Sequence, residues 1–295
     1  MSGSGLTAGS CALLACVFEV QARKPGNVSP SCDFEDVTYA DFLLSANAIA
    51  PVIDAALQGN FHVGQLVLEC IKATRAVTST NTNLGILLLL APLLKAGDSD
   101  VHGGVERVLQ TLTIDDARAV YEAIRLACPG GMGEVAEQDI DREPTVSLRQ
   151  VMALAAQRDL IARQYENGFA DVFAEGLPAL QQAIERLHSI EGGIISCHLQ
   201  LLARHRDSLI ERKLGQGEAA EASRRAAQVL AAGWPERPEG KLALKDYDVW
   251  LRGRGHQRNP GTTADLVTAC LFVLLREDRL RLPLEIPFAA QDPYG

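Results

Sequence analysis

The stretch Leu84-Gly85-Ile86-Leu87-Leu88-Leu89-Leu90-Ala91-Pro92-Leu93-Leu94 is apolar on every side of a helical wheel. A helix with no polar face belongs inside a protein, surrounded by other helices. The run falls short of the roughly 18 to 20 residues that cross a bilayer, and Gly85 and Pro92 interrupt it, so it reads as a core helix. Around it helical periodicity dominates, while the alternating β-branched runs expected of strands are scarce. The reading is an all-α fold, one compact multi-helix domain over residues 1–295 built about this central helix.

Working outward, the pattern predicts helices over Leu6–Arg23, after Thr38, and over Val63–Val77, 101–112 and 115–127. The hydroxyl of Thr38 and Asp41 three residues on form a variant of the capping box. Pro129-Gly130-Gly131-Met132-Gly133 then breaks the pattern, and Ser147–Asn167 reads as one long amphipathic helix. Further helices are expected near 177–189, 193–205, 208–214, 218–231 and 242–251. The last begins after Asn259-Pro260-Gly261, with Thr262 as its N-cap, and runs through the apolar residues Leu266 to Leu275.

The chain carries 37 acidic against 28 basic side chains, a net charge of -9. That field gives no general affinity for nucleic acid or anionic membrane, so a polyanionic substrate must meet a local basic pocket. Seven cysteines, an odd number without a C-x-x-C pair, read as reduced, mostly buried thiols of a cytoplasmic protein. No basic residue precedes the apolar stretch Cys11 to Val20, as a secretory signal would require. P-loop, H-E-x-x-H and G-x-S-x-G patterns are absent.

Several places nevertheless carry chemistry. In Phe18-Glu19-Val20-Gln21-Ala22-Arg23-Lys24-Pro25-Gly26-Asn27-Val28 a helix ends beside a Pro-Gly turn, so that Glu19 stands near Lys24, the Gly26 amide and Asn27. Asn259, Gly261 and Thr262 open an apolar helix whose unpaired N–H groups attract anions, and Arg252, Arg254, His256 and Arg258 lie just upstream. Thr80-Asn81-Thr82-Asn83 holds more amides and hydroxyls than one cap requires. Asp33-Phe34-Glu35-Asp36 and Glu134 with its acidic neighbours offer hard oxygen donors of the kind Mg²⁺ prefers. Lys213 closes a helix in Asp207-Ser208-Leu209-Ile210-Glu211-Arg212-Lys213-Leu214-Gly215. Each, taken alone, is also explained as an ordinary helix stop, cap or solvated loop.

Taken together and in order, E-x4-K-P-G-N-V (19–28), D-F-x-D (33–36), T-x-x-D-F-L-x-S-A (38–46), N-T-N-x-G (81–85), D-S-L-I-x-R-K-x-G (207–215) and N-P-G-T-T-A-D-L (259–266) resemble the triphosphoribosyl-dephospho-CoA synthase family, in a divergent archaeal or methylotroph-like branch. The resemblance implies an all-α transferase that moves the triphosphoribosyl group of ATP to 3'-dephospho-CoA and releases adenine. By motif position it implies Glu19 and Asp33 as acid-base carboxylates. It implies Asp33, Asp36 and Glu134 as ligands of a Mg²⁺ ion, and Lys24, Gly26, Asn27, Asn81, Asn83, Lys213, Asn259, Gly261 and Thr262 as contacts to phosphate and ribose. The expected partners are small molecules, with neither nucleic acid nor membrane among them, and a homo-oligomer is compatible with the sequence. The residues themselves leave two alternatives open: a related enzyme acting on another phosphorylated precursor in one-carbon cofactor biosynthesis, and a non-catalytic nucleotide-binding helical module.

Overall fold

A computed structural model describes residues 5–97, 100–127, 142–290 and 292–295. It is 70% helical, with fourteen α-helices and no strand among the described residues, so the expected all-α fold is the one found. In chain order these are α1 (Ala8–Gln21), α2 (Tyr39–Gln58), α3 (Val63–Arg75), α4 (Leu84–Ala96), α5 (Val101–Gln110), α6 (Ile114–Ala127), α7 (Leu148–Ala155), α8 (Leu160–Asn167), α9 (Leu177–Leu187), α10 (Ile190–Arg204), α11 (Ser208–Leu214), α12 (Gln216–Ala231), α13 (Pro238–Arg252) and α14 (Gly261–Arg276). The chain divides into two compact units, one formed by 1–17, 40–171 and 272–280, the other by 18–39, 172–271 and 281–295.

In the first unit α4 is the central element, packed by α3, α5, α6 and α8, and its residues from Ile86 to Leu94 are all buried. Pro92 lies inside this helix and has no N–H to give the carbonyl four residues earlier. That carbonyl, Leu88 O, accepts instead from the Tyr165 hydroxyl of α8 at 2.6 Å. A buried backbone acceptor must find a donor, and a tyrosine supplies it here. Among the described residues α2 alone is long and apolar enough to cover a bilayer. Its Asp54 accepts the Thr7 hydroxyl at 2.7 Å and the Gly9 N–H at 2.8 Å, so that side of α2 is engaged by protein.

The long helix expected over Ser147–Asn167 is two helices, α7 and α8. Asp159 accepts the N–H groups of Ile161 and Ala162 at 2.9 and 3.1 Å, and a short acidic side chain that bonds its own downstream backbone starts a helix rather than continuing one. Hydrophobic periodicity alone cannot register that restart.

In the second unit α10 packs against α9 and α12, and α12 against α11 and α13. Ile195, Leu199, Leu202, Ile210, Ala222, Val229, Leu244, Tyr247 and Leu251 form one buried cluster. The small residues Ala219, Ala222 and Ala226 let α12 lie close to its neighbours. Helix α13 begins four residues earlier than the expected Leu242, at Pro238, where a missing N–H is harmless.

Candidate active site

The second unit gathers most of the polar residues singled out in the sequence. Lys24 is fully buried, and its ammonium lies 2.8 Å from Glu19 Oε1 while also donating to the carbonyls of Glu19 and Ala22. All three of its N–H donors are thereby engaged within the turn. Glu19 is itself only 4% exposed, so the pair is a desolvated lock at the end of α1. Neighbouring Arg23 is held by Glu191 of α10, whose carboxylate accepts Arg23 Nε at 2.8 Å, Nη2 at 2.9 Å and the backbone N–H at 3.1 Å. Two turns further along α10 stands His198, also fully buried. Burial, with the charge of Lys24 acting in the same direction, holds its pKa well below the usual histidine value, and neither ring nitrogen has a hydrogen-bond partner.

The turn continues through Gly26, whose φ of +74° and whose approach to Leu251 both demand glycine, since a Cβ would meet Leu251 at 2.7 Å. The Gly26 N–H donates to Asp248 Oδ1 at 2.7 Å, and the Asn27 carbonyl accepts Arg252 Nη2 at 2.6 Å. Asp248 and Arg252 are themselves paired at 2.9 Å, one turn apart on α13. One helix face therefore clamps the peptide that presents the Asn27 side chain.

From Asn27 a directed chain of hydrogen bonds runs outward. Asn27 Nδ2 donates to Asn259 Oδ1 at 2.6 Å, Asn259 Nδ2 faces His256 Nε2 at 2.8 Å, and His256 Nδ1 faces Asp36 Oδ2 at 2.8 Å. Burial lowers the pKa of His256 against the pull of Asp36. An acceptor-only carboxylate at Nδ1 places a proton on Nδ1, and in the neutral imidazole Nε2 then accepts. Asp36 is held below its ordinary value, burial opposing the charge and the His256 hydrogen bond outweighing it. Phe34 stacks on His256 with centroids 4.7 Å apart, and the Arg252 guanidinium carbon lies 5.5 Å from the Phe34 ring centre. Lys213 donates to the His256 carbonyl at 3.3 Å, and desolvation lowers its pKa.

The amino end of α14 is not capped by Thr262, as the sequence suggests. Asp207, fully buried, accepts Thr263 N–H at 2.7 Å and Thr263 Oγ1 at 2.8 Å with one oxygen, and with the other the N–H groups of Leu209 and Ile210 at 2.9 and 3.1 Å. One carboxylate thus caps both α11 and α14, and Ser208 Oγ bonds Thr262 Oγ1 beside it at 3.1 Å. Burial raises the pKa of Asp207 while these donors oppose the rise.

Of the remaining sequence candidates, Asp33 is exposed and accepts Tyr39 N–H at 2.7 Å. Asn81 and Asn83 belong to the first unit, where Asn81 Oδ1 accepts Leu84 N–H at 3.1 Å and the Asn83 amide bonds Thr74 Oγ1 at 2.9 Å. Glu134 lies outside the described residues. A cavity of about 340 Å³ in the first unit is lined by His62, Lys95, Arg107 and Asp116 and by none of the residues singled out in the sequence. Sequence reasoning missed His198, Asp248 and the bridging role of Asp207. It noted Arg252 and His256 only as loose positive charge, although in the structure Arg252 is paired with Asp248 and His256 with Asp36.

Comparison with known proteins matches the chain to a family. The model of the ATP:dephospho-CoA triphosphoribosyl transferases matches residues 6–283. None of the curated proteins compared matches the sequence significantly. Among solved structures, a protein of Archaeoglobus fulgidus provisionally assigned as a triphosphoribosyl-dephospho-CoA synthase is 25% identical and superposes with a TM-score of 0.59, covering 80% of this chain and 98% of its own. The chain belongs to the ATP:dephospho-CoA triphosphoribosyl transferase family and is a transferase of that kind.

Proposed function

We propose that this protein transfers the 5'-triphosphoribosyl group of ATP to a hydroxyl of 3'-dephospho-CoA and that the site lies on the second unit, around the Glu19–Asn27 turn and the start of α14. In this reaction the hydroxyl oxygen bonds the anomeric carbon of the ATP ribose and the bond from that carbon to adenine breaks. Adenine keeps the bonding electrons, and the hydroxyl proton is delivered to it. The observation that carries the siting is the convergence of Asn27, Asp36, Lys213 and Asn259, four family-motif residues from three distant parts of the chain, on one hydrogen-bonded network.

Roles follow from burial. Asp33, the exposed carboxylate, is the proposed acid-base group. Glu19, desolvated and paired with Lys24, holds the turn that carries Asn27. Lys213, half-buried beside Asp36, and the Gly261–Thr262 backbone are proposed contacts to the triphosphate. Asp33 and Asp36 are exposed oxygen donors on one loop, a set suited in kind to Mg²⁺, which when bound would neutralise phosphate charge. The free thiols at Cys11, Cys16, Cys32, Cys70, Cys197 and Cys270 fit a reducing cytoplasm.

The test is direct. The protein is incubated with ATP, Mg²⁺ and dephospho-CoA, and free adenine is measured together with the mass of the dephospho-CoA product. Stoichiometric adenine and a triphosphoribosyl adduct are expected, and no adenine with these substrates would overturn the assignment.

A further inference from the structure

The directed chain from Asp36 to Asn27 has a consequence at its buried end. Asn259 turns its NH₂ group to His256 Nε2, whose other ring nitrogen faces Asp36. Asn259 then shows its carbonyl oxygen to Asn27, which must answer with its own NH₂ group. Each amide is thereby fixed in one of its two orientations. The side-chain oxygen Asn27 Oδ1 is the atom left over, closed off from solvent and without a partner in a residue 95% buried. A second such atom belongs to the side chain that grips the same residue: Arg252 uses Nε on Asp248 and Nη2 on the Asn27 carbonyl, while Nη1 is buried and unpartnered.

An orphaned acceptor and an orphaned donor on two joined residues call for a group that donates and accepts at once. A phosphate oxygen only accepts, and an amine bound to Asn27 would oppose the guanidinium. A hydroxyl answers both, as does the donor–acceptor edge of a base, and deoxy analogues separate the two. We propose that Asn27 Oδ1 and Arg252 Nη1 together bind a ribose hydroxyl of a nucleotide substrate, so that Asn27 selects for the sugar and not for the phosphate. This rests on the transfer reaction proposed above only for the identity of the nucleotide. His256 acts as a positioning residue, since through Asn259 it dictates which end of the Asn27 amide faces the ligand. Both atoms are covered by protein, so a covering group gives way on binding.

The experiment measures binding of ATP and of dephospho-CoA, each beside its 2'-deoxy and 3'-deoxy analogues, by calorimetry on the full chain. Wild type is expected to bind one deoxy analogue about tenfold or more weakly, the effect of one lost hydrogen bond to a buried partner, and which substrate shows it identifies the source of the hydroxyl. Asn27→Leu, of similar shape, is expected to bind the parent and that analogue equally, and Arg252→Lys, which keeps the charge but removes Nη1, likewise. Equal binding of all analogues by wild type, or full discrimination retained in a folded Asn27→Leu or Arg252→Lys protein, overturns the inference and points to a buried water at this position. Discrimination without adenine release would instead overturn the transfer reaction and leave the hydroxyl site standing. No binding of either nucleotide would overturn both.

Discussion

Two helix entrances look alike in the sequence and differ in the structure. Thr80-Asn81-Thr82-Asn83 precedes the apolar helix α4, and Asn259-Pro260-Gly261-Thr262-Thr263 precedes the apolar part of α14. At the first entrance the polar groups are all satisfied: Asn83 with Thr74, Thr82 with Ser45 at 2.5 Å, and Asn81 with the Leu84 N–H. At the second, the network is drawn from far along the chain and ends on the unpartnered atoms of Asn27 and Arg252. Buried polar groups in folded proteins are almost always paired, so a cluster of amides becomes informative where it leaves an atom over.

The contrast can be broken in graded ways. Lys24→Met strands the buried Glu19 carboxylate in the turn that carries Asn27 and is expected to cost about 3–5 kcal/mol, as removal of one partner of a buried ion pair does. Asn83→Ala, at the self-satisfied entrance, should cost about 1–3 kcal/mol. Urea midpoints rank the two, and a Lys24→Met protein as stable as Asn83→Ala would remove the distinction. Adding Glu19→Gln to Lys24→Met should recover part of the loss.

Activity should divide the other way. Asn259→Ala is expected to lower kcat/KM about tenfold or more, one hydrogen bond's worth of transition-state stabilisation, while Asn83→Ala leaves kcat/KM within about twofold. Steady-state adenine release measures both, and the reverse ranking would move the site to the first entrance.

A gentler probe is pH. His198 and His256 have folded pKa values below the ordinary 6.5. In acid the unfolded chain therefore takes up protons that the folded chain refuses. The stability this contributes is present above about pH 6.5 and is lost as pH falls toward the depressed folded values, with a slope of at most about 1.4 kcal/mol per pH unit for each histidine. His198→Met should remove one such increment from the slope between pH 6.5 and 5, read from urea midpoints across that range. An unchanged slope would mean that His198 takes up a proton in the fold.

The all-α fold was legible because helical periodicity is a local signal, and α4 declared itself by having no polar side. What local pattern cannot carry is a partner chosen at long range. Asn27 and Asn259 are 232 residues apart, and Asp207 and Thr263 are 56, so the relay and the shared cap left no trace in spacing. His198 was silent because a lone histidine on an apolar helix face reads as packing. The break between α7 and α8 was missed because Asp159 acts through its own backbone and disturbs no hydrophobic position. The site's raw materials were visible at Glu19, Asn27, Asp36, Lys213 and Asn259, but their directions were not.

The carboxylate of Asp207 also sets how this region breathes. Since the first turns of α11 and α14 hang on the two oxygens of a single buried group, fraying of either end strands one oxygen of that carboxylate in the interior. Seen by amide hydrogen exchange, Leu209, Ile210 and Thr263 would then open together, as one event with one protection factor, although they begin two different helices.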